Sequence, residues 1–286
     1  MRGLLPSVCL IACLFPSAAV FAPAQQAAPA PLTAEQAQAL VTRALASEMR
    51  AASDANHPMR YLLRKTTPRL TAVREIIETK DGDVARLRSI NGQSLSAEAD
   101  QRELDRLAEL ERDPGKQRHR KQSEDADTQR AVKVLRVLPT AFIFQYAGPG
   151  KDKNGPVEKF TFQPNQNFDP PDLETEVLTV MNGELWIDPA AGRVTRLEGW
   201  VAKDVDFGWG ILGRLNKGGW IKIEQAEVQP DAWRMVRIQI NMSARVIFRT
   251  KNFDTIEVEN RFSAVPMDLG YRQAIEMLKA GSGSND

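Results

Sequence analysis

The chain is nearly without cysteine. Cys9 and Cys13 are the whole supply, and both lie close to the N-terminus. If that stretch is removed on export, disulfides, thiol catalysis and zinc–thiolate sites go with it. Histidine is equally scarce. His57 precedes Pro58, and His119 sits in Arg118-His119-Arg120-Lys121. Neither belongs to a Ser-His-Asp arrangement or has the spacing of metal ligands. An excess of one charge is also missing, since 38 Lys and Arg face 37 Asp and Glu. That balance gives no global attraction to nucleic acid or to anionic membranes. No G-x-S-x-G, H-E-x-x-H, P-loop or C-x-x-C is present. Acidic residues are plentiful, but no pair stands out as a two-carboxylate hydrolase would require. The expectation is a protein with no catalytic residues, no metal and no cofactor.

Long apolar runs are confined to the first residues, MRGLLPSVCLIACLFPSAAVFAPA. One positive charge, an apolar stretch and Ala22-Pro23-Ala24 match the layout of a secretory signal peptide over residues 1–24. The stretch is broken by Pro6 and Pro16 and is short of a membrane span, so no transmembrane segment is expected. Leu10-Ile11-Ala12-Cys13 resembles a lipobox, in which Cys13 would be acylated. Cutting there would leave a very short signal with apolar residues continuing past it, so soluble export to the periplasm is preferred.

Residues 25–32 read as a Pro/Ala linker, 33–280 as one domain, and 281–286 as a disordered tail. Thr33 and Gln36 have capping-box spacing, and Leu40, Val41, Ala44, Leu45 and Met49 share a helical face. Two or three strands are expected from Arg60 to about Asn91, with turns at Asp81-Gly82-Asp83 and Asn91-Gly92. Ser96 opens a second helix with a thin stripe at Leu104, Leu107 and Leu110. Pro114-Gly115 interrupts it, and KQRHRKQSEDAD continues as solvated charge, a segment able to lie over a sheet edge. Val132, Leu135 and Leu138 predict one more helix ending before Pro139.

Strands dominate the second half of the chain. Phe142, Phe144 and Tyr146 alternate, as do Phe160 and Phe162. In GELWIDPAAGRVTRLEGW, residues 183–200, Asp188-Pro189 suits the start of a type I turn and Gly192 its left-handed end. VRIQINMSARVIFR, 236–249, places apolar residues at every second position, the mark of a sheet with one dry and one wet face. A turn is expected near Lys251-Asn252, and a final helix should place Tyr271, Ala274, Ile275 and Leu278 on one face. The fold class is α+β, with a large antiparallel sheet covered by a few amphipathic helices.

Leu185-Trp186-Ile187-Asp188, Gly192, Arg196-Leu197-Glu198 and the strand from Ala232 to Ile240, on an exported chain with an N-terminal amphipathic helix, resemble the LolA-type fold. That superfamily includes the LolA carriers, the LolB receptors and the MucB/RseB envelope sensors. The resemblance implies an incomplete β-barrel lidded by helices over an apolar cavity. The charged insertion at 96–127 is unlike a compact carrier.

VDFGWGILGRL, 205–215, contains G-x-G-x-x-G and D-F-G. No helix fits between Gly213 and Lys217-Gly218-Gly219, and no catalytic Asp precedes, so neither nucleotide motif holds. The stretch reads as a glycine-rich connection between strands, whose Phe207, Trp209, Ile211 and Leu212 could line a cavity mouth. With Trp186, and with Val236, Ile238, Ile240 and Met242 on the apolar strand face, they are the candidate ligand-binding residues. The ligand expected is a lipid or a lipidated protein. The alternative is an envelope sensor or scaffold that binds a protein partner through 96–127.

Overall fold

The computed structural model describes residues 31–52, 54, 56–207, 213–246 and 249–281. The expected leader, most of the linker, Trp209, Ile211, Leu212 and residues 282–286 lie outside them. Thr33 caps the first helix, α1 (Ala34–Ala51), through the expected box. Its hydroxyl accepts from the Gln36 amide, and the Gln36 side chain accepts from the Thr33 N–H. The stripe Leu40, Val41, Ala44 and Leu45 is buried.

Three strands come next, β1 (Met59–Thr66), β2 (Thr71–Ile77) and β3 (Val84–Ile90), with a two-residue β4 (Gln93–Ser94). Asn91 and Gly92 both take positive φ, 51° and 80°, which is the tight hairpin turn that this dipeptide favours. Ser96 caps α2 (Ala97–Arg112), where Leu107 and Leu110 are buried.

Pro114 is the first residue of the next helix, not merely a break. Asp113 caps it by accepting from the amides of Gly115 and Lys116. This α3 runs unbroken from Pro114 to Ala141, 28 residues, or about 42 Å. The basic run and the Val132–Leu138 segment are therefore one helix. It also passes Pro139, because a proline in the last turn removes only its own donor, and the Phe142 N–H still reaches the Leu138 carbonyl.

The second half supplies β5 (Phe142–Asp152), β6 (Gly155–Pro164), a short α4 (Leu173–Glu176) with a 3₁₀ turn (Val177–Val180), then β7 (Met181–Asp188) and β8 (Arg193–Val201). In the β7–β8 hairpin the Gly192 N–H donates to the Asp188 carbonyl at 2.9 Å, and Gly192 has φ 62°. Next come β9 (Val205–Phe207), β10 (Gly213–Leu215), β11 (Trp220–Gln229), β12 (Ala232–Val246) and β13 (Arg249–Ala264), and α5 (Tyr271–Ala280) closes the chain. Lys251 and Asn252 are not a turn. They pair with Ala244 and Ser243 inside the β12–β13 ladder, which extends to Val246 opposite Arg249. Hairpin pairing overrides the turn preference of Asn there.

The 13 strands among the described residues form one antiparallel sheet in the order β4-β3-β2-β1-β13-β12-β11-β8-β7-β6-β5, with β10 beside β12 and β9 beside β10. The sheet is not closed. Tracing cross-strand partners separates its faces. Leu185, Leu197, Ile223 and Ile238 share one face with Tyr61 and Met59. Helix α1 and the end of α3 cover that face over β5–β8, burying Phe160, Phe162, Leu185 and Ile187. Ile77 and Val84 stand on the other face, where α2 and α5 pack Leu107, Leu110, Ile275 and Leu278. Helix α3 crosses between the two faces around the β2–β3 turn, where Gln117 donates to the carbonyls of Asp81 and Gly82 at 3.0 Å. Among the described residues, no helix is long and apolar enough to cross a membrane.

Candidate functional site: an apolar cavity under the helices

The helices over β5–β8 do not close onto the middle strands. Between them lies a cavity of about 350 Å³. Leu45 of α1 and Leu135 and Leu138 of α3 form its roof. Leu185, Leu197 and Ile223 form its floor, and Trp233 and Met235 of β12 form its side. The strands bring these residues together because Leu185, Leu197 and Ile223 are successive cross-strand partners on one face.

One end of the cavity is polar, and Glu48 organises it. This residue continues the buried stripe of α1 one turn past Ala44 and is 8% exposed. Its carboxylate accepts from Arg193 Nε at 2.8 Å, from the Val194 amide at 2.9 Å and from Gln225 Nε2 at 2.9 Å. Arg193 in turn lies over the Trp233 ring, 5.3 Å from its centroid. A buried charge with this many donors is compensated, so the cavity gains a polar terminus without an unpaired ion. Arg234 forms the boundary on that side and is tied to Glu78 at 3.2 Å.

Beyond Arg234, several carboxyls gather near the β2–β3 turn and β13, with Asp83 in the turn and Glu259 on the strand, both half-buried. Burial pushes Asp83 up to about 7, with Glu124 and Glu78 adding repulsion. Burial likewise pushes Glu259 up to about 8, aided by Glu78 and Glu257. Tyr61, stacked on Phe262 at 5.4 Å, is raised well above the usual phenol range for the same reason. Among the described residues, no group of three or more His, Cys, Asp or Glu could hold a metal ion.

The residues singled out in the sequence fall in different places. Ile238, Ile240 and Met242 are on the cavity face, half-buried, further along β12 than the cavity lining. Met242 packs with Val180, Val201 and Leu215 in a smaller cluster. Val236 is skipped in the β11–β12 register, between the partners Arg237 and Met235, so it is the extra residue of a bulge. Trp186 points to the opposite face, where Lys159 and Arg196 lie over its ring at 4.2 and 4.5 Å. Phe207 ends β9 opposite Gly213, so the glycine-rich stretch does join two paired strands. Trp209, Ile211 and Leu212 lie outside the described residues.

Glu48, Gln225, Trp233 and Met235 also line it; Trp233 is one of the five tryptophans that the sequence offers as cavity candidates, and the other three are not singled out there. A signal existed for two. Glu48 is an acid at the i+4 position of an apolar helix stripe, and Gln225 interrupts the Ile221, Ile223 alternation. A polar group on a dry face is either an error of register or a partner for something buried. No family model, no curated protein and no solved structure matches this chain.

Proposed function

We propose that this is an exported, non-catalytic binding protein of the bacterial periplasm that holds the acyl chain of a lipid or lipidated protein beneath α1 and α3. The observation that carries the reading is the 350 Å³ apolar cavity with one compensated polar end. Its size falls at the small end of ligand pockets. An amphipathic first helix and an open antiparallel sheet, with α1 and α3 over the cavity face, support the LolA-like half-barrel reading, to which α2 and α5 on the opposite face are an addition.

Magnitudes fit a carrier better than a store. Ten to twelve buried methylenes contribute roughly 8–10 kcal/mol, and association costs at least about 4 of these. At that minimum cost the remainder corresponds to a dissociation constant between about 40 µM and 1 mM, weak enough to hand a chain onward. Calorimetric titration with dodecanoate tests this. Binding in that range, weakened at least about tenfold by Leu197→Phe or Met235→Trp, is the expected outcome. Heatless titration with both dodecanoate and dodecanol would remove the reading.

The alternative, a sensor or scaffold binding a protein partner through 96–127, draws on one observation. Within that segment, residues 122, 123 and 125–127 of α3 are all exposed. Charge reversal at Asp125 and Asp127 would abolish partner capture under that reading and leave dodecanoate binding unchanged.

A further inference from the structure

The face of the sheet away from the cavity leaves two large aromatic side chains in solvent. Trp200 on β8 and Trp220 on β11 stand directly opposite each other and are 41% and 39% exposed. Antiparallel partners point to the same face with Cβ atoms about 5 Å apart, so both indoles rise from one patch of that face. Asn182 is the partner of Trp200 on its outer flank, Asn241 is the partner of Trp220, and Asp254 pairs with Asn241 in turn. With strands about 4.8 Å apart, the row from Asn182 to Asn241 spans roughly 14 Å.

A shallow depression of about 360 Å³ adjoins this row. Asn182 belongs to both, and Gln163, Gln166, Thr179, Ile143 and Lys203 complete the part that matters. Among the described residues, none accepts from or donates to the side-chain amides of Gln163, Gln166, Asn182 or Asn241. The surface thus offers two apolar ring faces flanked by unused amide donors and acceptors. The formal charges beside the row balance, Lys203 and Lys222 against Asp254 and Glu198, and Lys222 is already paired with Glu198 at 3.0 Å.

That combination selects among ligand classes. A nucleic acid would require several cations to meet its phosphates, and an anionic bilayer would require a cluster of Lys and Arg. An uncharged sugar presents C–H faces suited to an indole and hydroxyls that pair with amides. We propose that Trp200, Trp220, Asn182, Asn241 and Gln163 form a binding surface for an uncharged oligosaccharide. The sugar rings stack on the two indoles and their hydroxyls bond the flanking amides. This surface is on the other side of the sheet from the cavity and does not rest on the cavity's assignment.

Saturation-transfer NMR on the full chain with cellotetraose, maltotetraose and chitotetraose tests it. At least one tetrasaccharide is expected to bind. Trp200→Ala and Trp220→Ala should each weaken that binding roughly tenfold, and Asn182→Ala about threefold. Both tryptophans are exposed, so circular dichroism of the variants should match the parent. No binding of any of the three sugars would overturn the proposal, as would binding undiminished in the double variant. Capture by phosphatidylglycerol vesicles that depends on the two tryptophans, with no sugar bound, would assign the surface to a membrane instead.

Discussion

At position 48 a carboxylate occupies a place that the α1 stripe would otherwise give to leucine. Its four hydrogen bonds, two from Arg193 and one each from Val194 and Gln225, fasten α1 to the β8 and β11 strands. Glu48→Ala leaves Arg193 and a buried amide unpaired, and about 3–5 kcal/mol of stability should be lost. Glu48→Gln retains part of the network and should cost less, which urea denaturation of the two variants will show. The Asp83 and Glu259 carboxyls make a separate prediction. Both ordinarily titrate near pH 4, and burial raises them to about 7 and about 8. Between those limits the folded chain keeps protons that the unfolded chain has released, so stability falls as pH rises through the window. Glu259→Gln removes its share of that slope. It should gain on the order of 1–2 kcal/mol over the parent at pH 9, and little at pH 4.

Helices and hairpins were the most legible level. The Thr33–Gln36 box, the Asn91-Gly92 turn, the Asp188–Gly192 turn and the α5 stripe could be read locally because each is set by residues a few positions apart. The 96–127 segment was not legible in the same way. Its mean hydropathy is low, yet Leu107 is fully buried and Arg86 of β3 reaches Asp100 of α2 at 2.7 Å. The few leucines count because they face Ile77, Val84 and α5, which lie far away in sequence. Leu107→Ala should therefore cost about 2–5 kcal/mol, a core-sized loss measurable by chemical denaturation. A surface insertion would lose less than about 0.5 kcal/mol. Deleting the segment would expose that core, so the proposal of a protein partner there has to be probed by exposed charges alone.

Across the whole molecule, the faces of the sheet could not be assigned from alternation. Period two says that Leu185 and Trp186 point opposite ways, but only the strand order says which of them meets α1. That is why Trp186 falls outside the cavity while Trp233 lines it, and why Trp200 and Trp220 are left to the far face. The bulge at Val236 shifts β12 by one residue and brings Met235 to the cavity. Such a shift depends on pairing partners that no local window contains. The occupant proposed for the cavity is an alkyl chain. Native mass spectrometry of the chain, purified from a bacterial periplasm without detergent, tests that most directly. A co-purifying mass that extracts into organic solvent as a lipid, and is lost in Leu197→Phe, is the predicted result. A bare protein mass that takes up neither added phospholipid nor lipopeptide would contradict it.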